Sequence, residues 1–82
     1  MYFVYILYSD TLGNYYAGST NDIDDRLHRH NTGQSKYTKK GIPWKLIWTT
    51  TFPSRAEAFQ LEKKIKKRGI SRFLIDNHIP GE

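Results

Sequence analysis

Hydrophobic and polar positions change their spacing several times along the chain, and each change marks an element. Residues 2–8 are an unbroken aromatic, β-branched and aliphatic run without Gly or Pro, closed by Ser9-Asp10. A short run of that composition predicts a strand. Asp10-Thr11-Leu12-Gly13-Asn14 supplies turn residues and residues 15–19 read as a second strand, so the N-terminal part predicts a hairpin. Gly18 inside that strand marks a bend or a close approach of backbone. Asn21 and Asp22 start a helix in which Ile23, Arg26, Leu27 and His30 recur at i, i+3, i+4 and i+7, one face of a 3.6-residue period. Asn31-Thr32-Gly33 ends it. Residues 35–40 form a short basic segment, one helical turn at most, broken by Gly41-Ile42-Pro43. Residues 45–52, rich in β-branched and aromatic residues, predict the third strand.

Ser54 followed by Glu57 has the spacing of a capping box and opens a long helix. Ala58, Leu61 and Ile65 make its apolar stripe, and Lys63, Lys64, Lys66, Lys67 and Arg68 cover much of the remainder. After Gly69 a last short helix is expected over 71–77, then a frayed tail over 78–82. The order β-β-α-(α)-β-α-(α) predicts an α+β fold with a small three-stranded, mainly antiparallel sheet flanked by helices.

Length and composition narrow this further. The chain has 82 residues, against roughly 150 for an ordinary domain, so residues 1–82 are expected to form one domain with one thin core. It has no cysteine, which excludes disulfide staples and thiolate metal sites. No apolar run is long enough to span a membrane, and the first residues lack the pattern of a signal peptide. A cytoplasmic protein without membrane contact is expected. The net charge is +5, unevenly placed. Residues 1–34 carry two basic and four acidic side chains, a balance of −2, whereas residues 35–82 carry eleven and four, a balance of +7. A basic half of this kind points to an anionic partner, of which nucleic acid is the commonest large one.

Few residues offer chemistry. Asp22, Asp24 and Asp25 are close together, but capping and the helix dipole account for them. No His pair has zinc spacing with a third ligand. Arg26 and His30, four apart, flank an apolar stripe and lean toward the sheet, where Arg would clamp a phosphate and His would shuttle a proton. The same placement also fits a snorkelling Arg and a surface His. Glu57 and Glu62 both flank the stripe of the long helix, and spacing does not choose between them. Glu57 already has the capping position. A single carboxylate in such a place can hold one Mg²⁺ whose other positions are water and phosphate oxygens. Tyr2, Tyr5, Tyr8, Tyr15 and Tyr16 all lie in the hairpin. Strand tyrosines mostly pack and pair across strands, and a phenol becomes a useful base only beside a cation or His.

Taken in order, Phe3-Val4-Tyr5, Tyr16-Ala17-Gly18, Arg26, His30 and Glu62 resemble the GIY-YIG nuclease domain, and the resemblance covers nearly the whole chain. It is closest to the small, stand-alone bacterial members, which share the Lys36-Tyr37-Thr38 and Pro43-Trp44 neighbourhoods. Two positions depart from the family pattern: the first tripeptide lacks its Gly, and Ser19 stands where some members carry Lys. The resemblance implies an active site on one sheet face. Tyr5 and Tyr16 share a face only if the numbers of paired residues sum to an odd number. A four-residue loop with Ser9 opposite Asn14 satisfies this, and a five-residue loop pairing Ser9 with Tyr15 does not. The first register is expected.

The resemblance further implies a divalent-metal-dependent endonuclease that hydrolyses phosphodiester bonds in DNA with weak sequence specificity, in repair or recombination. Glu62 would hold one Mg²⁺ or Mn²⁺ ion, Arg26 would neutralise the phosphate, and Tyr5 or Tyr16 with His30 would orient or deprotonate the attacking water. Asn77 is the candidate for a further phosphate contact. Lys36, Lys39, Lys40, Lys63, Lys64, Lys66 and Lys67 would supply salt-sensitive backbone contacts to nucleic acid. With no reader of base edges in view, targeting calls for a protein partner. DNA and RNA are not distinguished, and oligomeric state stays open. Two other readings stand beside this one: a non-catalytic nucleic-acid-binding module that keeps the fold, and a protein-interaction domain using exposed Trp and Tyr.

Overall fold

The computed structural model describes residues 1–81. Its elements are β1 (Tyr2–Ser9), β2 (Asn14–Thr20), α1 (Ile23–Asn31), a single 3₁₀ turn (Lys39–Gly41), β3 (Trp44–Phe52), α2 (Arg55–Arg68) and α3 (Ile70–Asp76). The three strands form one antiparallel sheet in the order β2-β1-β3. The expected α+β architecture is therefore the observed one, with the basic segment after α1 reduced to the 3₁₀ turn.

The hairpin closes with Ser9 opposite Asn14, the register that the shared-face argument requires. Ser9 is fully buried, its hydroxyl accepts from the Leu12 amide at 3.0 Å, and its carbonyl accepts from Gly13 at 2.8 Å. Gly13 takes φ +62° there, a conformation that side chains with a Cβ adopt at a steric penalty. From this register Tyr5 lies opposite Gly18 and Leu7 opposite Tyr16, so both motif tyrosines project from one face.

The two faces hold separate cores. On one, Val4, Ile6 and Ala17 pack against Ala58 and Ile65 of α2 and Leu74 of α3. On the other, Tyr5, Leu7 and Trp44 pack with Tyr16, Ile23, Leu27 and Ile42. A register shift lets β3 serve both. Ile6 pairs with Trp48 but Leu7 pairs with Leu46, so Ile47 is the extra residue of a bulge, which resets the alternation of side chains. Trp48 consequently joins the α2 face, in edge contact with Phe73 at 5.3 Å, while Trp44 joins the α1 face. Trp44 is buried and Trp48 half-buried, which removes the exposed tryptophan surface expected of an interaction domain.

Caps fix the helices. Asp22 accepts from the Asp25 amide at 3.0 Å, and Asp25 pairs with Arg29 at 2.9 Å. Ser54 accepts from the Glu57 amide and donates to the Glu57 carboxylate, so the capping position is filled as expected. The tail is not frayed from its first residue. The Ile79 amide donates to Leu74 O at 2.9 Å, and its side chain packs on the apolar core. Glu82 lies outside the described residues. Among the described residues, no helix is long and apolar enough to cross a membrane.

Candidate active site

Four elements carry their side chains to the β2 edge of the sheet. Tyr16 comes from β2, Arg26 and His30 from α1, Glu62 from α2 and Tyr5 from β1. A cleft of about 450 Å³ is lined by Tyr16, Gly18, Ser19, Arg26, Arg55, Phe59 and Glu62, among others. A second cleft, of about 280 Å³, is lined by Tyr16, Arg26, Arg29, His30, Gln34 and Ser35. Tyr16 and Arg26 belong to both, so the two form one groove across the edge of the sheet.

Beneath the groove lies a buried hydrogen-bonded chain. The Tyr5 hydroxyl is 3.0 Å from His30 Nε2, and His30 Nδ1 is 2.8 Å from Thr38 Oγ1. Tyr5, His30 and Thr38 are each at most 2% exposed. Trp44 Nε1 donates to Thr38 O at 2.7 Å, and the Asn31 amide brackets the Trp44 backbone with bonds of 2.6 and 3.1 Å. The placement of His30 thus depends on the loop after α1, through Thr38, and on the start of β3. Burial lowers the His30 pKa, with the Arg26 charge adding to it, so the ring is neutral near pH 7. Burial, reinforced by Tyr16, pushes Tyr5 up to about 12 despite the opposing charge of Arg26. Tyr5 is therefore a protonated phenol, and the neutral His30 ring bonds a hydroxyl at each nitrogen, donating through one and accepting at the other.

Gly18 explains how Tyr5 reaches this position. A Cβ on Gly18 would lie 2.5 Å from the Tyr5 hydroxyl oxygen, far inside contact distance. The glycine of the second tripeptide is the lid over the buried phenol.

Glu62 occupies the opposite wall, its side chain 13% exposed. Its Oε1 accepts from the Ser19 hydroxyl at 2.6 Å and its Oε2 from Lys66 Nζ at 2.8 Å. Ser19, noted in the sequence only as a departure, thus orients the carboxylate. The Lys66 ammonium also lies 5.8 Å from the centre of the Tyr16 ring, and that ring is 4.9 Å from His30. Tyr16 links the two walls. Glu57, the other candidate carboxylate, is exposed and remains at the helix cap.

Such an arrangement is suited to an anionic group. Among the described residues neither Arg26 nor Arg55 makes an ion pair with a carboxylate, so two guanidinium groups face the cleft unneutralised. Residues 1–72 match the family described as "GIY-YIG catalytic domain". The chain belongs to the GIY-YIG family. It is similar to a UPF0213 protein of Bacillus licheniformis, 37% identical over 73 residues, which cover 84% of this chain and 75% of that one. A UPF0213 protein of Limosilactobacillus reuteri is 37% identical over 84 residues, covering 95% and 86% of the two chains. The solution NMR structure of a UPF0213 protein from Bacillus halodurans superposes with a TM-score of 0.56 at 35% identity, covering 93% of this chain and 84% of that one.

Within this GIY-YIG fold the motif residues are gathered, but the lysines are not. Lys36, Lys39, Lys40, Lys63, Lys64, Lys66 and Lys67 are all exposed, and none lines either cleft. Lys66 reaches the site through Glu62, and Lys63 through Phe59, whose ring centre is 5.6 Å from its ammonium. Asn77 also lines neither cleft, and its side-chain amide caps α3 by donating to Phe73 O at 2.9 Å. The cations that do line the groove are arginines, Arg29 and Arg55 in addition to Arg26. The sequence assigns no site role to these two, nor to Thr38 or Phe59. Arg55 sits one residue after the Ser54 cap, and Thr38 lies in the basic segment, where the family resemblance marks a shared neighbourhood but no contact. Among the described residues, no group of three or more His, Asp or Glu side chains is placed to hold a metal. Any ion bound here would have Glu62 as its protein carboxylate.

Proposed function

We propose that this GIY-YIG domain is a divalent-metal-dependent nuclease that hydrolyses phosphodiester bonds in DNA without strong sequence preference. One observation supports the reading: Tyr16, Arg26 and Glu62, from three different elements, line a single cleft, and among the described residues no carboxylate forms an ion pair with the arginine. A lone carboxylate in an open cleft fits Mg²⁺ or Mn²⁺, since Mg²⁺ is commonly held by one or two carboxylates with water and substrate phosphate oxygens. Glu62 would hold one such ion. When bound, such an ion would supply Lewis-acid stabilisation of charge developing on the phosphate and the leaving oxygen.

The chain's own residues have separable tasks. Arg26 clamps the phosphate and offsets its charge. Ser19 holds the Glu62 carboxylate in one orientation through its 2.6 Å bond. Tyr16 opens onto both clefts and orients the attacking water. Tyr5, sealed under Gly18 and bonded to His30, backs this wall, and His30, which lines the second cleft, works with Tyr16 in orienting the water. The exposed lysines add sequence-independent attraction that weakens with salt.

A second reading has its own support. Both oxygens of Glu62 already have donors, Ser19 and Lys66, so the carboxylate is satisfied without an ion, as suits a binding module that keeps the fold but not the reaction. Nicking of supercoiled plasmid separates the two. With Mg²⁺ or Mn²⁺ the wild type is expected to nick, and EDTA or Glu62→Ala to abolish nicking while salt-sensitive DNA binding persists. Salt-sensitive binding without cleavage of plasmid, single-stranded or branched DNA would leave the binding module.

A further inference from the structure

The α2 wall of the main cleft carries a residue that neither core packing nor hydrolysis uses. Phe59 is 53% exposed, although Ala58, Leu61 and Ile65 of the same helix turn into the core. It lines the cleft beside Glu62, its neighbour three positions on. Tyr37 is more exposed still, at 92%, but lines neither cleft, and Tyr2 and Tyr16 line the main cleft half-buried, so Phe59 is the exposed aromatic of that cleft. Its helical neighbours at i−4 and i+4 are cations. Arg55 lines the same cleft without a carboxylate partner among the described residues. The Lys63 ammonium stands 5.6 Å from the ring centre, within range of a cation–π contact. The three make a row along α2 in which successive members are about 6 Å apart on the helix axis.

An exposed ring between two cations matches the chemistry of an unpaired nucleotide, whose base stacks on the ring and whose phosphates meet the flanking charges. A base inside a continuous duplex keeps both faces stacked on its neighbours and has none to offer. We infer that the row Arg55–Phe59–Lys63 is a stacking platform for one unpaired base of single-stranded DNA next to a phosphate held at Arg26. This rests on the reading of the groove as a nucleic-acid backbone site, and it adds the substrate class: strands with at least one unstacked nucleotide at the cleft.

Fluorescence anisotropy in EDTA, at fixed low salt, tests it without cleavage. The probes are a labelled thymidine oligonucleotide, the same length of backbone with abasic residues, and a duplex of equal length. The wild type is expected to bind the thymidine strand about tenfold more tightly than the abasic strand, a typical stacking contribution. Phe59→Ala should lose that preference while binding the abasic strand as the wild type does, which also reports that the variant is folded. Phe59→Tyr should retain the preference. Equal wild-type binding of the thymidine and abasic strands, or an undiminished preference in Phe59→Ala, overturns the platform and leaves the nuclease reading standing. No wild-type binding to any of the three probes overturns both. Base-dependent binding lost in Phe59→Ala, in a protein that nicks no plasmid, supports the platform and removes only the nuclease.

Discussion

The two faces of the sheet are built from different materials. The core of the face under α2 and α3 is apolar, with Val4, Ile6, Ala58 and Ile65 all fully buried, and the bond from Ser19 to Glu62 lies at its rim in the groove. The face under α1 buries polar atoms instead. Tyr5, His30 and Thr38 are as deeply buried but are joined by directed bonds of 3.0 and 2.8 Å. No buried side-chain nitrogen or oxygen among the described residues lacks a partner. Apolar packing is non-directional and tolerates small shifts. A chain of buried hydrogen bonds does not, because each group that loses its partner carries the full desolvation penalty. One face therefore supplies stability, and the other fixes positions at the groove.

Truncation should expose this difference most strongly on the apolar face. Ile65→Ala leaves a cavity between α2 and the sheet, and a loss of about 2–5 kcal/mol in urea unfolding is expected. Because Ile65 lines neither cleft, DNA binding below the unfolding midpoint should be unchanged. A loss of affinity with little loss of stability would erase the division of labour between the faces.

Gly18→Ala acts on the polar face by intrusion. The new methyl would sit on the Tyr5 hydroxyl, so either the phenol leaves His30 or β2 shifts outward. Overpacking of this kind costs about 1–3 kcal/mol. The His30 imidazole resonances in an NMR spectrum should move with it, and unchanged resonances would mean that the lid is not tight. Thr38→Val keeps shape and removes one bond, so it should fall at the lower end of about 1–3 kcal/mol for an orphaned buried polar group. Thr38→Ser should recover most of that loss. Equal losses in the two variants would assign Thr38 to packing instead.

The smallest expected effect is in the pH dependence. The pKa of His30 is lowered by folding, so below the ordinary histidine range, near about 6.5, the unfolded chain binds a proton that the folded chain resists. The contribution of His30 is then complete above that range and is lost as pH falls below it. Tyr5 acts at the other end. Its pKa is raised from 10.0 to about 12, so its contribution is complete below 10 and is lost as pH rises toward 12. The fall in Tm between pH 7 and 5 should be shallower in His30→Gln than in the wild type, and parallel profiles would contradict a buried neutral imidazole.

Local chemistry made most of the fold legible in advance. Asp22 and Ser54 cap where their residue types predict, and the shared face that the family pattern implies for Tyr5 and Tyr16 selects the four-residue loop that is observed. Arg26, His30 and Glu62 were legible as a set through a family pattern, since nothing local joins residues on two helices separated by a strand. What escaped depends on distant geometry. The bulge at Ile47 that sends Trp44 and Trp48 to opposite faces has no Gly or Pro to announce it. Thr38 and Trp44 become partners of the site only once the loop folds back over α1. The basic character of the second half was visible, but which cations face the groove depends on the helical phase of α2, and there Arg55 points in while most of the lysines point away.

The close of the hairpin also limits how this chain can vary by descent. With Ser9 opposite Asn14, losing or gaining one codon between residues 10 and 13 would, if the turn kept its four residues, turn every side chain of β2 over. Tyr16 would then trade places with its neighbours and leave the groove, although no motif residue had been altered. Two codons would leave the parity intact, and so would one codon absorbed by a bulge or by a turn of another length. Inheritable length changes that keep a four-residue turn should therefore come in even steps, or in odd steps accompanied by a bulge, wherever the tyrosine pair is retained. The spacing between the two tripeptides is then a heritable trait of the site in its own right, independent of the identity of the residues in the turn.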